Sequence, residues 1–186
     1  LQKYSNLPKN KIVGMAGILD SSRFIYFLSE ELKVSVQKIK SFVLGGHGDS
    51  MVAMLGLTEV DGKKINELVK EGKIKKEKID QIIERTKKGG AEIVKYLEKG
   101  SAFYAPAASG VEMATSYLQD LKKQLPCAAF LNGEYGVKDL YAGVPVIIGS
   151  GGVEKVVELE LNSEEKDNFE KSIQAVRDLF KDAQKI

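Results

Sequence analysis

Apolar residues in the first third of the chain come in short runs set off by polar and glycine-rich stretches. In the middle and at the end they settle into a helical rhythm. After the loop SNLPKNK, the run IVGMAGIL leads to Asp20, Ser21 and Ser22 and then to RFIYFLSEEL, whose apolar spacing suits a helix. Asp and Ser favour N-cap positions, so a helix start near Asp20 is expected. IKSFVLGG reads as a strand running into glycines, and SMVAMLGLTEVDGKKI as a second strand followed by a hairpin through Asp61-Gly62. From Lys75 to Leu97, Ile79, Ile82, Ile83, Thr86, Ala91, Ile93, Val94 and Leu97 recur at roughly helical spacing, with a bend expected at Gly89-Gly90. GSAFYAPAASG interrupts that pattern at Pro106, and VEMATSYLQDL resumes it as a helix of small residues. LPCAAFLNGEYG, VPVIIGSGG and VEKVVELEL then alternate with glycine-rich turns, as a three-stranded antiparallel meander does. Ser163, Glu164 and Glu165 open a last helix with Phe169, Ile173, Val176 and Phe180 on one stripe.

This order of helix, strands, long broken helix, strands and helix predicts an α+β fold of antiparallel sheets packed against long helices. With no repeat or low-complexity linker, residues 1–186 are expected to form one domain. Composition agrees, since 43% hydrophobic and 29% charged residues are ordinary for a folded domain that buries a core. Lys and Arg number 28 against 26 Asp and Glu, and a formal charge of +2 gives no strong field for nucleic acid or an anionic membrane surface. No apolar stretch is long enough to span a bilayer, and LQKYSNLPKN lacks the features of a secretory signal. A soluble protein is expected. The single cysteine, Cys127, lies in the apolar PCAAFL, where a buried inert thiol and a reducing cytoplasm are the expectation.

One His and one Cys, 80 positions apart, offer no metal-binding spacing, and neither a dinucleotide fingerprint, a phosphate loop nor a nucleophile elbow occurs. What remains is an acid/base set. His47, the single histidine, stands in GGHGDS beside Asp49, and LDSSR offers Asp20 and Arg23. Imidazole exchanges a proton near neutral pH, and a carboxylate on its other nitrogen fixes the tautomer and stabilises the charged form. Arg23, three positions after Asp20, falls on about the same helix face, where a planar guanidinium can grip a carboxylate in two hydrogen bonds. The bland alternatives stand beside this one: Asp20 an N-cap, Arg23 a surface cation, His47 and Asp49 turn residues. Ser101 and Ser109 flank Pro106 and either line a pocket or satisfy backbone groups freed by the break. The lysine-rich KEGKIKKEKID reads as a solvated face.

Together these segments resemble the C-terminal, substrate-binding half of the lactate/malate dehydrogenase family, and the likeness spans essentially the whole chain. GMAGILDSSRF resembles the family's L-D-[ST]-x-R signature and LGGHGDSMV its histidine signature, in the right order and 27 positions apart from Asp20 to His47. GSAFYAPAAS and GVPVIIGSGGVEKVVEL resemble its later pocket helix and C-terminal strands.

The resemblance implies that His47 is the proton acceptor, Asp20 its orienting carboxylate and Arg23 the clamp for the substrate's C1 carboxylate. It places Ser101 and Ala102 beside the substrate and Pro106 beside the nicotinamide of NAD. GMAG and GSAFYAPAAS look like bacterial malate dehydrogenases of the lactate-dehydrogenase-like type. This implies oxidation of (S)-malate to oxaloacetate, with lactate or another 2-hydroxy acid as the alternative. The family's Rossmann domain, which binds most of the NAD and carries the mobile substrate-selecting loop, has no counterpart here. With Leu1 in place of an initiator methionine, a fragment of a longer chain is expected, inactive on its own. A homo-oligomer, dimer or tetramer, is implied, with the helix near Ser22 and the broken helix near Gly89 as contact faces. The competing class is a stand-alone, non-enzymatic interaction domain of the same fold.

Overall fold

The computed structural model describes every residue of the chain except Lys3 and Ile186. Its helices are α1 (Ala16–Leu32), α2 (Ile65–Lys70), α3 (Lys76–Lys87), α4 (Gly89–Leu97), α5 (Tyr104–Leu118) and α6 (Ser163–Ala183). Its strands are β1 (Ile39–Lys40), β2 (Val43–Gly45), β3 (Met51–Ala53), β4 (Glu59–Val60), β5 (Lys63–Lys64), β6 (Lys123–Asn132), β7 (Lys138–Gly149) and β8 (Gly152–Val156). The expected meander is present as β6–β7–β8, and β7 also pairs β2 through Gly143 and Gly45. The result is a five-stranded antiparallel sheet in the order β3-β2-β7-β6, with β8 on β7, beside a small three-stranded sheet β1-β4-β5. The hairpin between β4 and β5 turns through Asp61 and Gly62, both at positive φ. The α+β architecture read from the sequence is the one observed.

Strand β2 separates two cores. Successive strand side chains face opposite ways: Leu44 joins Met54, Leu131, Val144, Val146 and Phe169 on the large sheet. Val43 joins Phe24, Leu28, Ile65 and Ile79 beneath the small one. With both faces packed, β2 is held against register slip, and it delivers the chain directly into GGHGDS. Cys127 is fully buried, as expected, and burial pushes its thiol up to about 12.

Two boundaries differ from expectation, while α6 opens at Ser163 as expected. Helix α1 begins four residues before Asp20, after Met15 and without a side-chain cap. Gly14 exchanges two backbone hydrogen bonds with Ala128 of β6, which anchors the chain and lets the apolar Gly17–Leu19 form the first turns against the sheet. Asp20 and Ser21 are therefore buried inside the helix rather than capping it. Pro106 lies within the first turn of α5, where its missing N–H would have had no helical partner, and the interruption falls just before, at residues 98–103. In α6 the cap is Asn162: its side chain accepts from Glu165 N–H while Glu165 accepts from Asn162 N–H. The apolar stripe of α6 ends at Val176, with Phe180 exposed. The bend at Gly89-Gly90 is observed as the junction of α3 and α4. Among the described residues no helix is long and apolar enough to cross a membrane.

Candidate active site

Two adjacent residues of α1 fasten β2 and the loop after it. Ser21 Oγ accepts the Val43 N–H at 2.9 Å, so the hydroxyl satisfies a strand backbone group rather than one of its own helix. Asp20, one position earlier, places Oδ2 2.7 Å from His47 Nδ1. Asp20 is 1% exposed and the His47 side chain 54%, so a buried carboxylate holds a ring that reaches out of the surface. The proton on Nδ1 faces the carboxylate, and Nε2 is left as the nitrogen that can meet a substrate.

Charge tunes the ring. The hydrogen bond to Asp20 raises the His47 pKa above its ordinary value, and the carboxylate's charge adds to the rise; partial burial and the positive charge of Arg23 oppose it. Arg23 is nearly buried, its side chain 10% exposed, with Nη1 3.8 Å from Asp20 Oδ1. That spacing is an ion pair without a short hydrogen bond, so the guanidinium's donors are not consumed by Asp20. The stem of Arg23 passes over Gly89 at the α3–α4 junction, and its head lines a cleft of about 440 Å³ between α1, α4 and α5, with Ile93, Ala105 and Ser109 on the opposite walls.

Asp20, Arg23 and His47 are thus brought together from α1 and the loop after β2. Asp49 is not the partner of His47. It lies in the short turn Gly48–Ser50 and lines a different cleft, of about 810 Å³, between α3 and α6. Ser101 and Ala102 sit in the link before α5, and Pro106 in its first turn; the dyad is built without them. Buried Ser109 donates to the Ala105 carbonyl, the backbone-satisfying role, while also lining the Arg23 cleft. The sequence marks Ser21 only as part of a helix cap and does not single out Ser172. Ser172 of α6 accepts the Gly46 N–H and donates to the Ser50 carbonyl, on either side of His47. Among the described residues no group of three or more His, Cys, Asp or Glu side chains is placed to hold a metal ion.

A buried carboxylate on a protruding imidazole, with a guanidinium one turn along the same helix, has the chemistry of a proton-exchanging pair beside a group able to pair with an anion. Residues 18–186 match the model of the lactate/malate dehydrogenase alpha/beta C-terminal domain, and the chain belongs to that family. It is 63% identical to a malate dehydrogenase of Pelagibacter ubique (strain HTCC1062) over 185 residues, covering all of this chain and 58% of that protein. The crystal structure of Cryptosporidium parvum malate dehydrogenase superposes with a TM-score of 0.96 at 43% identity, over 100% of this chain and 59% of that one. The lactate dehydrogenase of the same organism, complexed with lactic acid and nicotinamide adenine dinucleotide, gives 0.94 at 43% identity, over 97% of this chain and 57% of that one. The chain therefore spans a little under three fifths of the length of these relatives.

Proposed function

We propose that the chain is the substrate-binding and acid/base part of an NAD-dependent malate dehydrogenase, interconverting (S)-malate and oxaloacetate. The observation that carries this reading is the Asp20–His47 hydrogen bond beside Arg23, in a chain whose relative at 63% identity is a malate dehydrogenase.

In the oxidative direction neutral His47 accepts the C2 hydroxyl proton at Nε2. Asp20 stabilises the imidazolium as it forms, so proton transfer develops charge where a carboxylate already waits. In the reverse direction the imidazolium returns that proton to the ketone oxygen. Arg23 grips the C1 carboxylate and so fixes the direction of the C2–H bond. NAD, when bound, takes up the hydride from C2. The residues present fit only its reacting end: the space over Gly48 is open, and Pro106, with Ser101 and Ala102 beside the substrate, is proposed to line its approach. No phosphate-binding glycine fingerprint is in the sequence, so the rest of the dinucleotide is held by chain outside residues 1–186.

The homo-oligomer belongs to the same proposal: Tyr26 on α1 and Tyr96 on α4 are exposed aromatic side chains on the two faces expected to make it. So does a cytoplasmic location.

The test is to join the cofactor domain of the Pelagibacter ubique relative ahead of Leu1 and follow NADH formation with malate and with lactate. Malate-dependent reduction of NAD is expected, with none from the 186-residue chain by itself. Faster turnover on lactate would move the assignment to that substrate. A folded, NAD-binding fusion that oxidises neither would favour an interaction domain.

A further inference from the structure

We propose that Ser172, on the C-terminal helix, is a positioning residue that sets where His47 stands against Asp20. The inference rests on His47 being the acid/base group of the site.

His47 occupies a five-residue loop, Gly46 to Ser50, and the Ser172 hydroxyl engages both ends of it. Its oxygen accepts the Gly46 N–H at 2.8 Å, and its own hydrogen goes to the Ser50 carbonyl. Ser50 in turn donates from Oγ to the His47 carbonyl at 3.3 Å. One hydroxyl from a residue 126 positions from Gly46 thus closes the loop on both flanks of the imidazole.

The hydroxyl is in no position to drift. Ser172 is 3% exposed, and its helix neighbours Phe169 and Ile173 are both buried in the main core. The capping box at Asn162 and the bond from Gly56 N–H to Glu165 fix the start of the same helix. The loop is shaped to receive it: at Gly45, φ +84, an added Cβ would collide with Ser172 Oγ. Glycine serves there for its left-handed backbone and also for the room it leaves to the hydroxyl. The dyad distance therefore depends on two supports. Helix α1 fixes the carboxylate, and α6 fixes the ring.

A serine that merely stabilised the fold would loosen everything alike, so the decisive readout is local. His47 is the single histidine, and its ring resonances can be titrated without assignment ambiguity. In Ser172→Ala the titration midpoint of His47 should fall by about half a pH unit or more, as the bond to Asp20 lengthens. Gly46 amide exchange should quicken at least roughly tenfold. Ser116→Ala is the control: that buried hydroxyl donates to the Ile148 carbonyl of β7 and accepts the Lys123 N–H of β6, bonding neither Gly46 nor Ser50, and its loss should lower Tm yet leave the His47 midpoint in place. If Ser172→Ala does not fold, Ser172→Cys, which keeps the volume and weakens the hydrogen bonds, decides in its stead. An unmoved His47 midpoint in the Ser172 variant, or an equal shift in Ser116→Ala, would overturn the proposal. No turnover is read in this experiment, so its failure and a failure of the malate chemistry remain distinguishable.

Discussion

Asp20 divides its two oxygens between two neighbours: Oδ2 takes the short bond to His47, and Oδ1 makes no hydrogen bond among the described residues, lying 3.8 Å from Arg23 Nη1. The carboxylate thus restrains the imidazole tightly and the guanidinium only through charge. Each partner answers differently to substitution.

Asp20→Asn removes the largest cause of the raised His47 pKa. A neutral amide cannot favour the imidazolium as a carboxylate does, so the midpoint should fall. Nuclear magnetic resonance titration of the single histidine reads this directly, and a midpoint that stayed or rose would contradict the geometry.

Stability should carry the same linkage. Because the folded value is raised, the dyad's contribution is fully present below the unfolded imidazole value, about 6.5, and is lost as pH rises through the higher folded value. Urea unfolding of the chain and of His47→Gln, compared at about pH 6 and about pH 8.5, should show a difference that shrinks toward the alkaline side. A difference that grew with pH would reverse the sign argued here.

Arg23→Lys in the fusion keeps the charge and loses the planar fork. A bidentate carboxylate bond reduced to a point contact should raise the malate KM roughly 10- to 100-fold, with kcat less affected. Steady-state kinetics would refute the clamp if KM held constant.

His47→Asn in the same fusion should lower kcat by roughly 10²-fold or more, the usual scale of acid/base catalysis, while NAD binding is retained. Turnover at the parent rate would remove His47 from the mechanism.

Gly17 packs against β6 so closely that an added Cβ would stand 2.5 Å from the Pro126 carbonyl oxygen. Ala is favoured over Gly in helices by about 1 kcal/mol, yet here the overlap should win. Gly17→Ala is expected to cost about 1–3 kcal/mol in denaturant unfolding, and any net stabilisation would show that α1 sits further from the sheet.

Asp20, Arg23 and His47 were legible because their residue types and order form two signatures, and the meander because its strands are contiguous and separated by glycine turns. The start of α1 was not. Asp20, Ser21 and Ser22 carry a capping composition, and only the bridge from Gly14 to Ala128 shows that the helix has already begun. Helix α2 is six residues long, too short for a periodic signal. Pro106 read as a break because a local rule ignores that the first turn has no need of its N–H. Ser172 looked like any polar residue of an amphipathic helix, since the two groups it satisfies lie more than a hundred positions away.

That distance also orders events in time. Asp20 and His47 are 27 positions apart and can meet before the residues of α6 are synthesised, whereas the bonds at Gly46 and Ser50 wait for α6, which follows β8 in chain order. A nascent chain can bring its acid and base near one another early, and the ring takes its working pose only when α6 docks.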